Sequence, residues 1–239
     1  LQNNGILKPR YLYFEGQKQQ ISGSGTIEAK KVYLNMSDEI LEAKSEIFFK
    51  NAFVTSSASP TTKKLNMNNF ILNLTAYSNS EFVIPIVFSG NGIINNENSL
   101  LGGTIYGNAE IKSTTYALLK ELTVKGKLTL GKGAKLSGYA NRVKLIIDGD
   151  FTNYADVNKD SVQVKSVKFA PRSMSLLVYG NIKNHGSTGI TTVYPVTNGK
   201  TITLEGNFEK DVYIQQAENS DMPGGKVLIN TEVNISGKL

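Results

Sequence analysis

The chain has no cysteine, no tryptophan and a single histidine among its 239 residues. Without cysteine there are no disulfide frameworks, thiolate metal sites or cysteine nucleophiles. One histidine excludes multi-histidine zinc sites and most histidine-based acid–base catalysis. Proline is scarce, at 6. No run approaches the ~20 consecutive apolar residues of a membrane-spanning helix, and the opening residues lack the charged-then-apolar pattern of a secretion signal. Lysine and arginine outnumber the acids 26 to 20, a net charge of +6. These cations are scattered, in pairs such as Lys30-Lys31 and Lys63-Lys64, short of the roughly five or six like charges that mark a basic tract. The balance suits weak adhesion to anionic surfaces and gives no ground for a nucleic-acid partner. Hydrophobic residues at 40% and charged residues at 19% exclude compositional disorder and a charged coiled coil. The length suffices for one large domain or two small ones, at roughly 100–200 residues each. The chain opens on Leu1 rather than Met, so a processed or excised piece is expected.

Asparagine and the 22 glycines supply the punctuation. Both tolerate the left-handed backbone angles of turns, and asparagines at equivalent positions of stacked strands can join in ladders of amide hydrogen bonds. Such equivalence is present as an internal repeat. Residues 122–128 (LTVKGKL), 145–151 (LIIDGDF), 176–182 (LLVYGNI), 202–208 (ITLEGNF) and 233–239 (VNISGKL) share the form apolar–x–apolar–x–Gly–x–apolar. Their glycines are Gly126, Gly149, Gly180, Gly206 and Gly237, spaced by 23, 31, 26 and 31 residues. Weaker copies lie at residues 86–93 (IVFSGNGI), 104–111 (TIYGNAEI) and 21–27 (ISGSGTI).

The alternation has period two, so the copies are strands. Leu122, Val124, Gly126 and Leu128 share a buried face, while Thr123, Lys125 and Lys127 share a polar one. A glycine recurring at one strand position points to a repeated close backbone approach or a repeated bend. A sandwich gives its strands different roles, whereas a solenoid stacks each copy on the previous one and so has reason to repeat the same heptapeptide. The expectation is an all-β fold: a parallel β-helix of about nine or ten coils, a rod about 45 Å long at ~4.8 Å per coil, with an antiparallel β-sandwich as the alternative. It is read as one solenoid domain over residues 1–239, less regular over 1–80 and regular over 81–239.

Residues 38–51 (DEILEAKSEIFFKN) fit either a helix or two strands broken at Ala43-Lys44; strands with a short helical turn are the reading taken. Residues 55–62 (TSSASPTT) read as a polar loop, and 221–225 (DMPGG) as a turn insertion. The motif around Gly237 runs to Leu239 with no visible cap, so the column is expected to continue or to pair with another copy.

The heptapeptides, with extensions such as Gly180-Asn-Ile-Lys-Asn184, resemble the repeats of secreted bacterial surface proteins: the filamentous-haemagglutinin-like parallel β-helix adhesins and the exported repeat proteins of the Bacteroidetes. Asn3-Asn4-Gly5-Ile6-Leu7 echoes the secretion-domain motif of those adhesins, with Asn4 where the family has proline. The resemblance implies export, a β-helix, and an adhesive or scaffolding role at the cell surface.

Candidate chemistry is sparse. Asp156, Asn158 and Asp160 place oxygen donors at alternate positions, like the start of a calcium loop, but Ser161 stands where the turn glycine belongs and Val167 where the bidentate glutamate belongs. An Asn/Asp-rich turn is the preferred reading. Asp148 and Asp150 flank Gly149 about 7 Å apart, within the range used by glycosidases; other copies carry lysine, asparagine or tyrosine there, so a solvated face is preferred. His185 reads as a turn residue. Asp160-Ser161-Val162 fits a short O-glycosylation pattern, and Asn35, Asn73 and Asn234 head N-glycosylation sequons. The clusters Tyr11, Tyr13, Phe14 and Phe48, Phe49, Phe53 are read as core filling and as a cap on the first coil. No phosphate loop or nucleophile elbow is present.

These readings predict a non-enzymatic, cofactor-free structural or adhesive rod of an exported bacterial surface protein, extracellular or on the cell surface. Its partners would be itself, end to end or within a longer chain, or cell-surface glycans and proteins. The alternatives are a self-assembling filament subunit and a polysaccharide lyase or hydrolase built on a β-helix.

Overall fold

A computed structural model describes residues 1–37, 40–55, 63–76, 80–112, 117–132, 134–138, 143–157, 174–186, 191–193, 201–208, 212–214 and 226–235. The described residues form no helix; their 25 strands belong to one continuous sheet, and every pairing is parallel. Each strand pairs with the strand about one coil later, never with its chain neighbour in a hairpin. The fold is therefore a parallel β-solenoid, and the antiparallel sandwich is excluded.

The coil has three faces. Face A starts with Tyr11–Gly16, Lys31–Met36 and Phe53–Thr55. Face B carries Gln20–Ile21, Ile40–Ala43 and Lys64–Asn68. Face C carries Ile6–Leu7, Thr26–Ile27, Ile47–Lys50 and Leu72–Thr75. From there Ile86–Glu97 runs around the corner from B to C, and Leu100–Lys112 runs from A through B to C. Face B continues through Leu122, Thr123 and Val124 at the end of Ala117–Val124, then Val143–Ile147, Met174–Val178, Thr191–Val193 and Val212–Ile214. It thus holds ten successive strands, in line with the nine or ten coils expected and a length of about 45 Å.

The described part of the 38–51 segment holds strands Ile40–Ala43 and Ile47–Lys50 around a bend at Lys44-Ser45. The helical turn expected there is absent among the described residues. Burial alternates along both strands, because Leu41, Ala43, Ile47 and Phe49 each fall on the inner side. The expected loop at 55–62 and turn at 221–225 lie largely or wholly outside the described residues.

The core is a set of axial columns. On face B, Leu41, Leu65, Ile86, Ile105, Val124, Ile147 and Val178 stack in direct register, and each is 1% exposed or less. On face C, Ala109, Leu128, Phe151, Ile182 and Leu204 do the same. Each large apolar side chain in these columns contributes roughly 1.5–3 kcal/mol by leaving water, and the columns tie each coil to both neighbours.

Candidate functional site

The corner between faces B and C is the most regular polar feature of the rod. Gly107, Gly126, Gly149 and Gly180 lie there one above another. A methyl group at Gly126 would come 2.5 Å from the Gly107 carbonyl oxygen, at Gly149 2.7 Å from that of Gly126, and at Gly180 2.5 Å from that of Gly149. The chain bends at Gly126, Gly149 and Gly180. Close backbone approach and a repeated bend, both expected from the motif, thus coincide.

The column departs from the sequence repeat at Gly206. Ile182 pairs with Leu204, which places Gly206 opposite Asn184 and not above Gly180. The segment Thr201–Phe208 is one strand, and its register against Lys226–Ile235 shifts between Leu204 and Gly206. Gly206 adopts a left-handed φ of 103°, and a methyl group there would run into the Asn184 carbonyl, a place only glycine fills without strain. Gly237 lies outside the described residues.

Beside the glycines runs a polar ladder. The Asn108 carboxamide accepts the Lys127 backbone N–H at 2.9 Å, Asp150 accepts the Asn181 N–H at 3.0 Å, and Asn181 accepts the Thr203 N–H at 2.8 Å. Asn108 donates to Asn91 at 3.2 Å. Each side chain satisfies a corner amide of the next coil that the bend takes out of the strand ladder. Asparagine ladders also run along face C. Asn95 donates to Asn73 at 2.7 Å on the outer side, and Asn153 donates to Asn184 at 2.8 Å on the inner side. Asn184 in turn donates to the Asn207 carbonyl.

Charges follow the same register. Lys8 and Lys50 sit on successive coils either side of Glu28, at 2.9 and 3.2 Å. Lys125 meets Asp148 at 2.7 Å, Lys127 meets Asp150 at 3.1 Å, and Lys183 meets Glu205 at 3.3 Å. Hydrogen bonds from Lys8 and then Lys50 hold the Glu28 carboxyl below its usual range. Burial pushes the Asp150 carboxyl up, but the Asn181 N–H and the Lys127 ammonium outweigh it and leave the group below its usual range. Asp148 and Asp150 are thus each committed to a lysine of the preceding coil.

His185 stacks on Tyr154 with ring centroids 4.9 Å apart and 9° between planes, one coil above it. Asp156 lies in the strand Asp156–Val157; Asn158, Asp160 and Ser161 are outside the described residues. Among the described residues no group of three metal-binding side chains converges, and no helix is long and apolar enough to cross a membrane.

The aromatic clusters need a correction. Phe14 and Phe49 are core residues, but Tyr11 and Tyr13 face solvent at 41% and 50% exposure. Leu12 and Phe14 occupy the inner row of that strand, which leaves its tyrosines on the outer row. Residues 11–14 are aromatic or apolar on both rows, so period-two reading alone does not choose between them. The phenolic hydroxyl, which prefers water, is the signal that selects the outer row.

No family model matches the chain, and no curated protein or solved structure matches it. The likeness to parallel β-helix proteins rests on the repeat and on the solenoid itself.

Proposed function

We propose that this chain is a structural or adhesive rod segment of an exported bacterial surface protein. The observation that carries the reading is the axial register of the outer side chains. Lysines, carboxylates and asparagines on successive coils are matched to one another in ladders, which stiffens the column along its axis. A rigid column of this kind presents repeated polar faces to a partner, and many weak contacts then add through avidity. Display outside the cell and the binding of surface glycans or proteins belong to the same proposal.

The test is labelling of intact, unpermeabilised producer cells with an antibody raised against this chain, together with electron microscopy of the purified protein. Surface label and discrete stiff rods support the proposal. Label confined to permeabilised cells refutes surface display. Open-ended fibres from the purified chain would replace the rod with a filament subunit, and release of oligosaccharides from a polysaccharide would replace it with an enzyme.

A further inference from the structure

One outer patch combines exposed tyrosines with a cluster of cations. On the first two coils of face A, Tyr13 pairs in register with Tyr33 and Tyr11 with Lys31. The Tyr13 and Tyr33 rings stack with centroids 5.1 Å apart and 14° between planes. Tyr11 leans on both, at 6.3 and 6.4 Å, and the Arg10 guanidinium lies 5.3 Å from the Tyr11 ring centre.

Three cations frame this stack. Lys30 donates its N–H to Pro9 and Lys31 donates to Arg10, so Arg10 and Lys30 face each other across adjacent coils. Like charges directly opposite on neighbouring strands destabilise a sheet. At the next corner Glu28 lies between Lys8 and Lys50, but among the described residues no carboxylate pairs with Arg10, Lys30 or Lys31. Exposed aromatic rings and a local excess of unpaired cations thus occupy one outer face.

We infer that this patch binds an acidic polysaccharide, with the uronate carboxylates on Arg10, Lys30 and Lys31 and the sugar rings against Tyr11, Tyr13 and Tyr33. An anion held between Arg10 and Lys30 supplies the negative charge that the sequence places at the neighbouring corner and omits here. The tyrosine rings offer apolar surface and hydroxyl donors to a ligand that is apolar on its ring faces and polar at its rim. A simple anion uses only the cations; a neutral glycan uses only the rings. An acidic polysaccharide uses both, and it can run along successive coils. The inference deepens the adhesive reading above and rests on it for its biological setting.

The probe is polygalacturonate, with dextran as the uncharged control, in native gels containing either polymer and in titration calorimetry of the purified chain. The expected result is retention by polygalacturonate, none by dextran, and a Kd that rises with ionic strength. Lys30→Gln/Lys31→Gln weakens binding at least tenfold. Lys132→Gln/Lys144→Gln, which removes the same charge from exposed lysines elsewhere, leaves binding within twofold. Tyr13→Leu weakens binding at least threefold without lowering the melting temperature that circular dichroism reports. The inference is overturned by no retention, by equal retention on dextran, by equal losses in the two lysine pairs, or by an unaffected Tyr13→Leu. Surface labelling reads out separately: labelled cells with a chain that ignores polygalacturonate refute the patch alone, and a binding chain on unlabelled cells refutes display alone.

Discussion

Asn153 and Asn184 lie one above the other inside the rod, with the Asn153 amide donating to the Asn184 carbonyl oxygen at 2.8 Å. Both are 1% exposed or less, and the Asn153 oxygen also accepts the Ala155 N–H at 2.9 Å. Replacing Asn153 by alanine strands buried partners on two sides. The expected cost is about 1–3 kcal/mol for each polar group left unpaired, read as a lower midpoint in urea unfolding. Asn73→Ala, in the half-buried outer ladder, is expected to cost less because water reaches the partners it leaves.

Gly149→Ala tests the corner column. Its new methyl would lie 2.7 Å from the Gly126 carbonyl, so two coils must separate locally. Overpacking of this kind costs typically about 1–3 kcal/mol. Gly5→Ala, where nothing lies within 4 Å, is the matched control and is expected to stay within about 0.5 kcal/mol of the parent. Equal effects of the two substitutions would remove the column from the account of the repeat.

Val124→Asp places a carboxylate in the apolar column between Ile105 and Ile147, at a position with 0% exposure. An unpaired buried charge costs several kcal/mol. Loss of a cooperative melting transition is expected, and an unchanged curve would contradict the inward facing of this row.

Acid should act through Asp150. Its folded pKa lies below the ordinary 3.8 because the Asn181 N–H and Lys127 together outweigh burial. A depressed carboxyl contributes stability that is present above the unfolded pKa and lost as pH falls through the folded one. The stability gap between the parent and Asp150→Asn should therefore be constant at neutral pH and close below about pH 4. Urea midpoints of both proteins across that range would check it; a gap that persists unchanged to pH 2 would place the effect elsewhere.

Much of this architecture is written in local sequence. The alternation in residues 122–128 determines which side chains face inward, because side-chain direction in a strand depends only on parity. Recurrence of the same heptapeptide determines stacking over a sandwich, because only a coil gives every copy the same surroundings. What local pattern leaves open is registry between coils. Gly206 matches the motif as well as Gly180 does, yet it lies against Asn184, and the register of its own strand shifts between Leu204 and Gly206. Likewise, Arg10, Tyr13, Lys30 and Tyr33 are unremarkable when read along the chain. They become one surface only when about twenty residues of coil bring them to the same face, since proximity across parallel strands is set by the length of the circuit between them and not by any neighbour in sequence.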